Sequence, residues 1–293
     1  MCRLFGFRSV IQSQVHRSLV QADNALCSLS EQHPDGWGVA YYVDGTPHLM
    51  RSACSALSDR VFQRLSGVVA SETVLAHVRK ATKGAITVLN CHPFQHGRWV
   101  FAHNGDIPTF AQQREALLAQ VSPRLSGYIL GETDSEVIFF LVLTQLLRYG
   151  SLGSQFSLRD VASALSRALG IVRELCDTTA SGEPSAAPSL LTCILTDGAT
   201  MVAHQGGKEL HYSTYKKRCA DRQACKSLSA ACEAPTVDGF VNHLIFSSQP
   251  LSGENVWQAM SEGDIVGVDS RMRLYDSAVD GRSIPPPPLA IAP

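Results

Sequence analysis

Two stretches of the 293-residue chain, GVAYYVDGTPHLMRSA (38–53) and LLTCILTDGATMVAHQ (190–205), each set an Asp-Gly pair between two β-rich runs. Asp-Gly suits a tight turn whose twist matches its flanking strands, so both stretches predict antiparallel hairpins. Further strands are predicted at 73–81, 98–105, 242–249 and 264–269. Helical spacing runs from about Pro108 to Gln120, from Asp134 to Arg148 and from Leu158 to Leu175. Strands therefore flank a helical middle instead of alternating with helices one by one. That order predicts an α+β protein of layered antiparallel sheets rather than a doubly wound one.

The best-marked helix begins at Thr133. Glu136 three residues later has the spacing of a capping box, and Val137, Phe140, Leu141, Thr144 and Leu147 follow in helical steps. The segment TTASGEPSAAPS (178–189) reads as a surface loop, and the Pro-rich end of 276–293 as an extended, disordered tail.

With 45% hydrophobic and 17% charged residues, the chain can bury a sizeable core. A formal net charge of -1 gives no electrostatic reason to expect nucleic acid or an acidic membrane as partner. No secretory signal pattern and no run of 18 apolar residues is seen, so the expected location is the cytoplasm. Nine irregularly spaced cysteines do not form a disulfide framework and are expected reduced and mostly buried. Cys219, Cys225 and Cys232, with His211 and His243 nearby, lack any CxxC step, and no phosphate-binding glycine loop appears. No metal and no nucleotide cofactor is expected.

Cys2 stands directly behind the initiator methionine and ahead of the strand-like run RLFGFR. Removal of Met1 would leave one residue with both a thiol and a free α-amine. An α-amine titrates near about 7.7–8.0, so a fraction of it is neutral at pH 7 and able to act as a base. Nucleophile and base then need no histidine.

Three motifs supply what such a thiol would lack for amide cleavage. In AHNGDI (102–107), an Asn104 side chain and a Gly105 N–H at a strand end can point two donors at an oxyanion; alone, the pair also suits a plain turn. In AHVRKAT (76–82), Arg79 ends an apolar strand and needs a partner, for which a substrate carboxylate is apt. In GETDSEV (131–137), Asp134 at a helix mouth can receive an ammonium or simply cap the helix. Together these parts fit an α-amino acid end with an amide some distance away, the shape of glutamine and other γ-glutamyl amides. Cys91-His92 in NCHPF (90–94) invites reading as a dyad, but neighbours on a strand face opposite ways, so a structural role is expected.

The ordered set of Cys2, HPDGWGVAYY (33–42), AHVRKAT, NCHPF, AHNGDI and GETDSEV resembles the class II glutamine amidotransferases, which are N-terminal nucleophile hydrolases. NHLIFSSQPL (242–251) extends the likeness more loosely. The chain looks most similar to the small stand-alone members, among them the γ-glutamyl amidase of ergothioneine synthesis and the amidotransferase-like subunit of a glutathione-degrading complex. The resemblance implies Cys2 as nucleophile, Asn104 and the Gly105 N–H as oxyanion hole, Arg79 with Thr82 at the substrate α-carboxylate, and Asp134 at the α-ammonium. Relatives with synthase domains often carry Trp and His where this chain has Lys80 and Lys83. Trp37 could stand in for that aromatic, although packing in a strand suits it better.

The implied fold is a four-layer αββα sandwich over residues 2–275, with the strand Cys2 to Arg8 carrying the nucleophile into the cleft between the sheets. No fused acceptor domain is expected. The implied activity is hydrolysis of the γ-amide of glutamine or of a γ-glutamyl amide through a thioester on Cys2. Two alternatives stay open: a glutaminase subunit delivering ammonia to a separate partner, and a non-catalytic γ-glutamyl-binding regulator. A small-molecule γ-glutamyl substrate is the expected partner, and a homodimer is compatible with the sequence.

Overall fold

Both Asp-Gly stretches form hairpins, but by different turns. In the computed structural model, which describes residues 2–14, 19–20, 22, 25–178, 185, 187–219, 222–223 and 225–278, Val43 pairs with Thr46 and leaves only Asp44 and Gly45 between the strands. Both have positive φ, 49° and 74°, as a two-residue turn of this hand requires. In the second hairpin Thr196 pairs with Met201, leaving four residues. The Asp197 carboxylate there accepts from Ala199 N at 3.1 Å and Thr200 N at 2.7 Å, so the side chain closes the turn. Gly198, at φ 91°, lies under the ring of Tyr42, where a Cβ would sit 2.4 Å from Cδ1.

In chain order the strands are β1 (Arg3–Gln14), β2 (Trp37–Val43), β3 (Thr46–Ser52), β4 (Ala70–Val78), β5 (Phe94–His96), β6 (Trp99–Asp106), β7 (Leu190–Thr196), β8 (Met201–His204), β9 (His211–Ser213), β10 (His243–Ser247), β11 (Gln258–Ala259), β12 (Ile265–Val268) and β13 (Leu274–Asp276). The helices are α1 (Leu26–Leu29), α2 (Arg60–Val68), α3 (Phe110–Leu118), α4 (Pro123–Ser126), α5 (Asp134–Leu146) and α6 (Leu158–Cys176). They make a seven-stranded sheet, β11-β9-β10-β1-β4-β2-β3, and a six-stranded one, β13-β12-β8-β7-β6-β5. Neighbouring strands are antiparallel throughout both sheets.

Strand alternation sorts the apolar side chains into three layers. Leu4, Ala40, Leu75 and Phe246 of one sheet meet Val100, Ala102, Ile194 and Met201 of the other between the sheets. On the outer face of the larger sheet, Phe5, Trp37, Val39 and Val74 pack against Leu26 of α1 and Phe62 and Leu65 of α2. On the outer face of the smaller one, Phe101, Leu191, Cys193 and Leu195 pack against α3, α5 and α6. The result is the expected αββα layering.

Trp37 is core, as its strand position suggests: it meets Phe62 edge-on at 5.1 Å, and its indole N–H donates to Asp59 Oδ2 at 3.0 Å. Asp59 also caps α2 by accepting from Val61 N at 2.8 Å. Partial burial opposes its charge, but these donors prevail and hold the carboxyl below its usual range. Asp59→Ala is expected to cost about 1–2 kcal/mol, one cap plus a stranded indole N–H, measured by urea unfolding. A depressed carboxyl stabilises above its unfolded value and loses that stabilisation as pH falls through the native one. The difference from the parent protein should therefore shrink below about pH 4.

Thr133 caps α5, its hydroxyl accepting from Glu136 N at 3.2 Å. The Glu136 carboxylate does not complete the expected box. It reaches further back, accepting from Leu130 N at 3.2 Å and Gly131 N at 2.6 Å, and so ties down the approach to the helix. Nor is α5 a two-faced surface helix. All its residues but Thr144 are buried, because α6 covers the side turned away from the sheet, with α3 and α4 alongside. The strand at the N-terminus runs on to Gln14, past a register shift after Arg8. Residues 179–184 and 186 of the expected loop and 279–293 of the expected tail lie outside the described residues.

Candidate active site

Strand β1 sits between β10 and β4, and the pairing of Arg3 with Val78 sets Cys2 beside Arg79, just past the end of β4. Cys2, Arg79, Thr82, Gly105 and Asp134 line one cavity, together with Lys80, Lys83, His92, His103, Thr133 and Ser135. Its solvent volume is about 20 Å³, room for a water molecule.

The Cys2 sulfur lies 3.3 Å from the Lys80 N–H, which donates to it, and 3.4 Å from the Lys80 carbonyl. Burial pushes the thiol up, partly offset by that N–H and by the positive charges of the chain terminus and Arg79. The segment after Arg79 is held from beneath by the HPDG turn: Asp35 N donates to Arg79 O, Arg79 N to Gly36 O, and Ala81 N to the Asp35 carboxylate at 2.8 Å.

Arg79, 2% exposed, meets the need for a partner within the chain itself. Its guanidinium donates to the carbonyls of Lys83 at 2.9 Å, Ala85 at 3.2 Å and Gly84 at 3.4 Å. These acceptors satisfy hydrogen bonds without neutralising the charge, so the cavity wall stays cationic. Lys83 Nζ in turn lies 3.4 Å from Asp106 Oδ1, linking the 79–85 segment to the end of β6.

Asp134 opens α5, and its oxygens take the N–H of Ile107 at 2.9 Å (Oδ2) and of Ser135 at 2.7 Å (Oδ1). The Ile107 bond joins the helix mouth to the loop after β6. Gly105 has no space for a side chain, since a Cβ there would fall 1.7 Å from Leu190 O and 2.4 Å from His103 Nε2. Asn104, between His103 and Gly105 on β6, is buried, and its Oδ1 has no hydrogen-bond partner among the described residues. It is not among the cavity-lining residues, unlike the other five expected site residues.

Three histidines gather at this end of the sheets. The rings of His77 and His92 are 4.2 Å apart. Burial drives the His77 value down to about 3 and the His92 value well below the usual imidazole range. Neither ring nitrogen of His92 finds a partner among the described residues. Cys91 and His92 do diverge, though not by strand alternation: Cys91 follows a 3-10 turn at Val88–Asn90 and its thiol lies against Ser52 O and Thr87 O, while His92 faces the cavity.

Sequence reading expected a structural role for His92, which lines the cavity, and gave His103 and Ser135 no role. The signal for His103 was available, since residues two apart on a strand share a face and Gly105 was already singled out. All nine cysteines are free, and five of them are buried. Among the described residues no group of three or more His, Cys, Asp or Glu side chains is placed to hold a metal. No helix among them is long and apolar enough to cross a membrane.

Two facing antiparallel sheets between helical layers, with a cysteine at the start of a central strand, define an N-terminal nucleophile type of architecture. The family model for class-II glutamine amidotransferases matches residues 1–272, and the chain belongs to that family. It is 30% identical to the probable glutamine amidotransferase DUG3 of Saccharomyces cerevisiae, over 96% of this chain and 85% of that one. A shorter segment, 24% of this chain, is 40% identical to a γ-glutamyl-hercynylcysteine sulfoxide hydrolase of Mycobacterium tuberculosis. Among solved structures, a glutamine aminotransferase class-II domain protein from Silicibacter pomeroyi superposes with a TM-score of 0.62 at 21% identity, covering 94% of this chain and 98% of that one. The glutamine phosphoribosylpyrophosphate amidotransferase of B. subtilis does so with 0.57 at 14%, covering 94% and 48%. These two likenesses concern the fold.

Proposed function

We propose that this chain hydrolyses the γ-amide of glutamine or of a γ-glutamyl amide through a thioester on Cys2. The observation that carries the reading is the convergence on one cavity of a thiol, a buried guanidinium and a buried carboxylate, from three separate elements.

With Met1 removed, the Cys2 α-amine takes the thiol proton and the sulfur attacks the γ-carbonyl carbon. The carbonyl electrons move to oxygen, held by the Gly105 N–H and the Asn104 amide. The C–N bond then breaks and the amine leaves with the proton from the α-ammonium. Water cleaves the thioester by the reverse proton path and releases glutamate. Arg79 holds the α-carboxylate, Thr82 assists, and Asp134 takes the α-ammonium. A substrate larger than the present cavity enters as the 80–83 segment shifts outward, against the Lys83–Asp106 pair. Both partners of that pair are partly exposed, so the pair itself adds no more than about 1 kcal/mol to the resistance, beside the bonds of Ala81 N to Asp35 and of Arg79 to the Lys83 carbonyl.

The test is glutamate release from glutamine, glutathione and γ-glutamyl amines, paired with mass spectrometry of the N-terminus. Turnover is expected only in protein that lacks Met1. A chain carrying an uncleaved N-terminal extension should release no glutamate, since its Cys2 nitrogen is an amide without basicity. Equal activity with and without the extension would overturn the mechanism. Release of ammonia from glutamine that stays slow until cell extract is added would point to the subunit role instead.

A further inference from the structure

Beside Asp134 the cavity holds two groups to which the reading above assigns no task. Ser135 Oγ lies 2.9 Å from His103 Nδ1 and 3.1 Å from Asp134 Oδ1, and His103 Nε2 lies 2.9 Å from the Leu190 carbonyl. All three side chains belong to residues that line the cavity.

The hydrogen positions follow from which atoms can donate. A carbonyl oxygen only accepts, so His103 Nε2 carries a proton. Burial favours the uncharged ring, against the pull of Asp134, the Leu190 carbonyl and Asp106. In that ring Nδ1 is a bare acceptor, and of the two acceptors within reach of the single Ser135 hydroxyl hydrogen it is the nearer, 2.9 Å against 3.1 Å to Asp134 Oδ1, so the hydrogen goes to it. The hydroxyl oxygen is left with lone pairs and no hydrogen to give Asp134. The carboxylate oxygens each take one backbone N–H, from Ile107 and Ser135, and each keeps further acceptor capacity. The corner is therefore made of acceptors: two carboxylate oxygens and one hydroxyl oxygen.

We propose that Ser135 Oγ is a second acceptor for the substrate α-ammonium beside Asp134, and that His103 is the positioning residue that makes it one by holding the hydroxyl proton. An ammonium brings three N–H donors and one carboxylate seldom satisfies all of them in a buried corner. Without His103 the hydroxyl would turn to Asp134 Oδ1, its nearest remaining acceptor, and would occupy the carboxylate instead of helping it. The pair thereby sharpens selection for a free α-amine, since a corner of acceptors gains nothing from a substrate that lacks one. This rests on the reading of Asp134 as the ammonium site.

The experiment uses the Cys2→Ala protein, so that ligands bind without turnover. Calorimetry compares glutamine with glutaramate, the same molecule without the α-ammonium. Ser135→Ala is expected to weaken glutamine roughly tenfold, the range of one hydrogen bond to a charged group, and to leave glutaramate within about twofold. His103→Gln should show the same selective loss, and Ser135→Ala stands alone if that variant does not fold. Equal weakening of both ligands by Ser135→Ala means a structural role and overturns the inference, as does no weakening of either.

Asp134→Asn separates the two levels. If it weakens glutamine selectively while Ser135→Ala does not, the inference falls and the reading of Asp134 stands. If Asp134→Asn fails to discriminate between the ligands, or the Cys2→Ala protein binds no glutamine, the reading and the inference fall together.

Discussion

Cys2→Ala is expected to lower glutamate release at least about a thousandfold, because among the described residues Cys2 carries the one thiol that lines the cavity. Cys91 is the next thiol along the motif set, but it is buried against Ser52 and Thr87 and does not line the cavity. The variant should still bind substrate, so the loss falls on kcat rather than KM. A thioester trapped by acid quench in the parent protein and absent from the variant would complete the result. Unaltered turnover in the variant would remove Cys2 from the mechanism. The pH dependence has a definite sign. With the α-amine as the base, the rate follows its neutral fraction and falls as pH drops below about 7.7–8.0.

Gly105→Ala is expected to be the most damaging single methyl in the site. The added Cβ would meet a main-chain oxygen, Leu190 O, at 1.7 Å, where no rotamer change offers relief. Relief requires separating β6 from β7, which pair from Val100 opposite Thr196 to Asp106 opposite Leu190. It also displaces the acceptor of the His103 ring. The cost should reach about 3 kcal/mol or more, seen as a fall in Tm of about 6 °C or more. Gly127→Ala is the control: Gly127 ends α4 with αR backbone and has open space where a Cβ would go, so its Tm should stay within about 2 °C of the parent. Similar losses at both positions would mean that the crowding at Gly105 is relieved elsewhere.

Much of the architecture was legible because its signals are local. The Asp-Gly turns, the cap at Thr133 and the apolar runs of β4, β6 and β10 each lie within a dozen residues. The strands that escaped reading, β5, β9, β11 and β13, are two or three residues long, too short to show alternation. α2 escaped because Phe62, fully buried, and its partner Leu65 make a narrow stripe in a polar segment. The turn at Asp197 also sets Gly198 against Tyr42, a ring from the other sheet, and no local pattern carries that contact.

The site divides in the same way. Cys2, Arg79, Gly105 and Asp134 were readable because each has a chemistry that its position makes conspicuous. Arg79 was expected to await a ligand, yet it holds three carbonyls of its own loop, a contact set by how 79–85 curls and invisible in residue types. His103 and Ser135 come together across 32 residues, from a strand and a helix whose mutual placement depends on the whole smaller sheet.

The placing of β1 gives the site an order in time. One neighbour of this strand, β4, ends at Val78, but the other, β10, spans His243–Ser247, and Leu4 N donates to Ser248 Oγ at 2.9 Å while Ser248 N donates to Leu4 O. The strand that follows Cys2 therefore cannot be fully clasped until residue 248 has left the ribosome. For most of synthesis the first residues stay accessible to an aminopeptidase, and the cavity that would set Cys2 to work is not yet built. Under the proposed mechanism, trimming of the terminus thus comes before assembly of the cavity, an order set by the length of chain between Leu4 and Ser248.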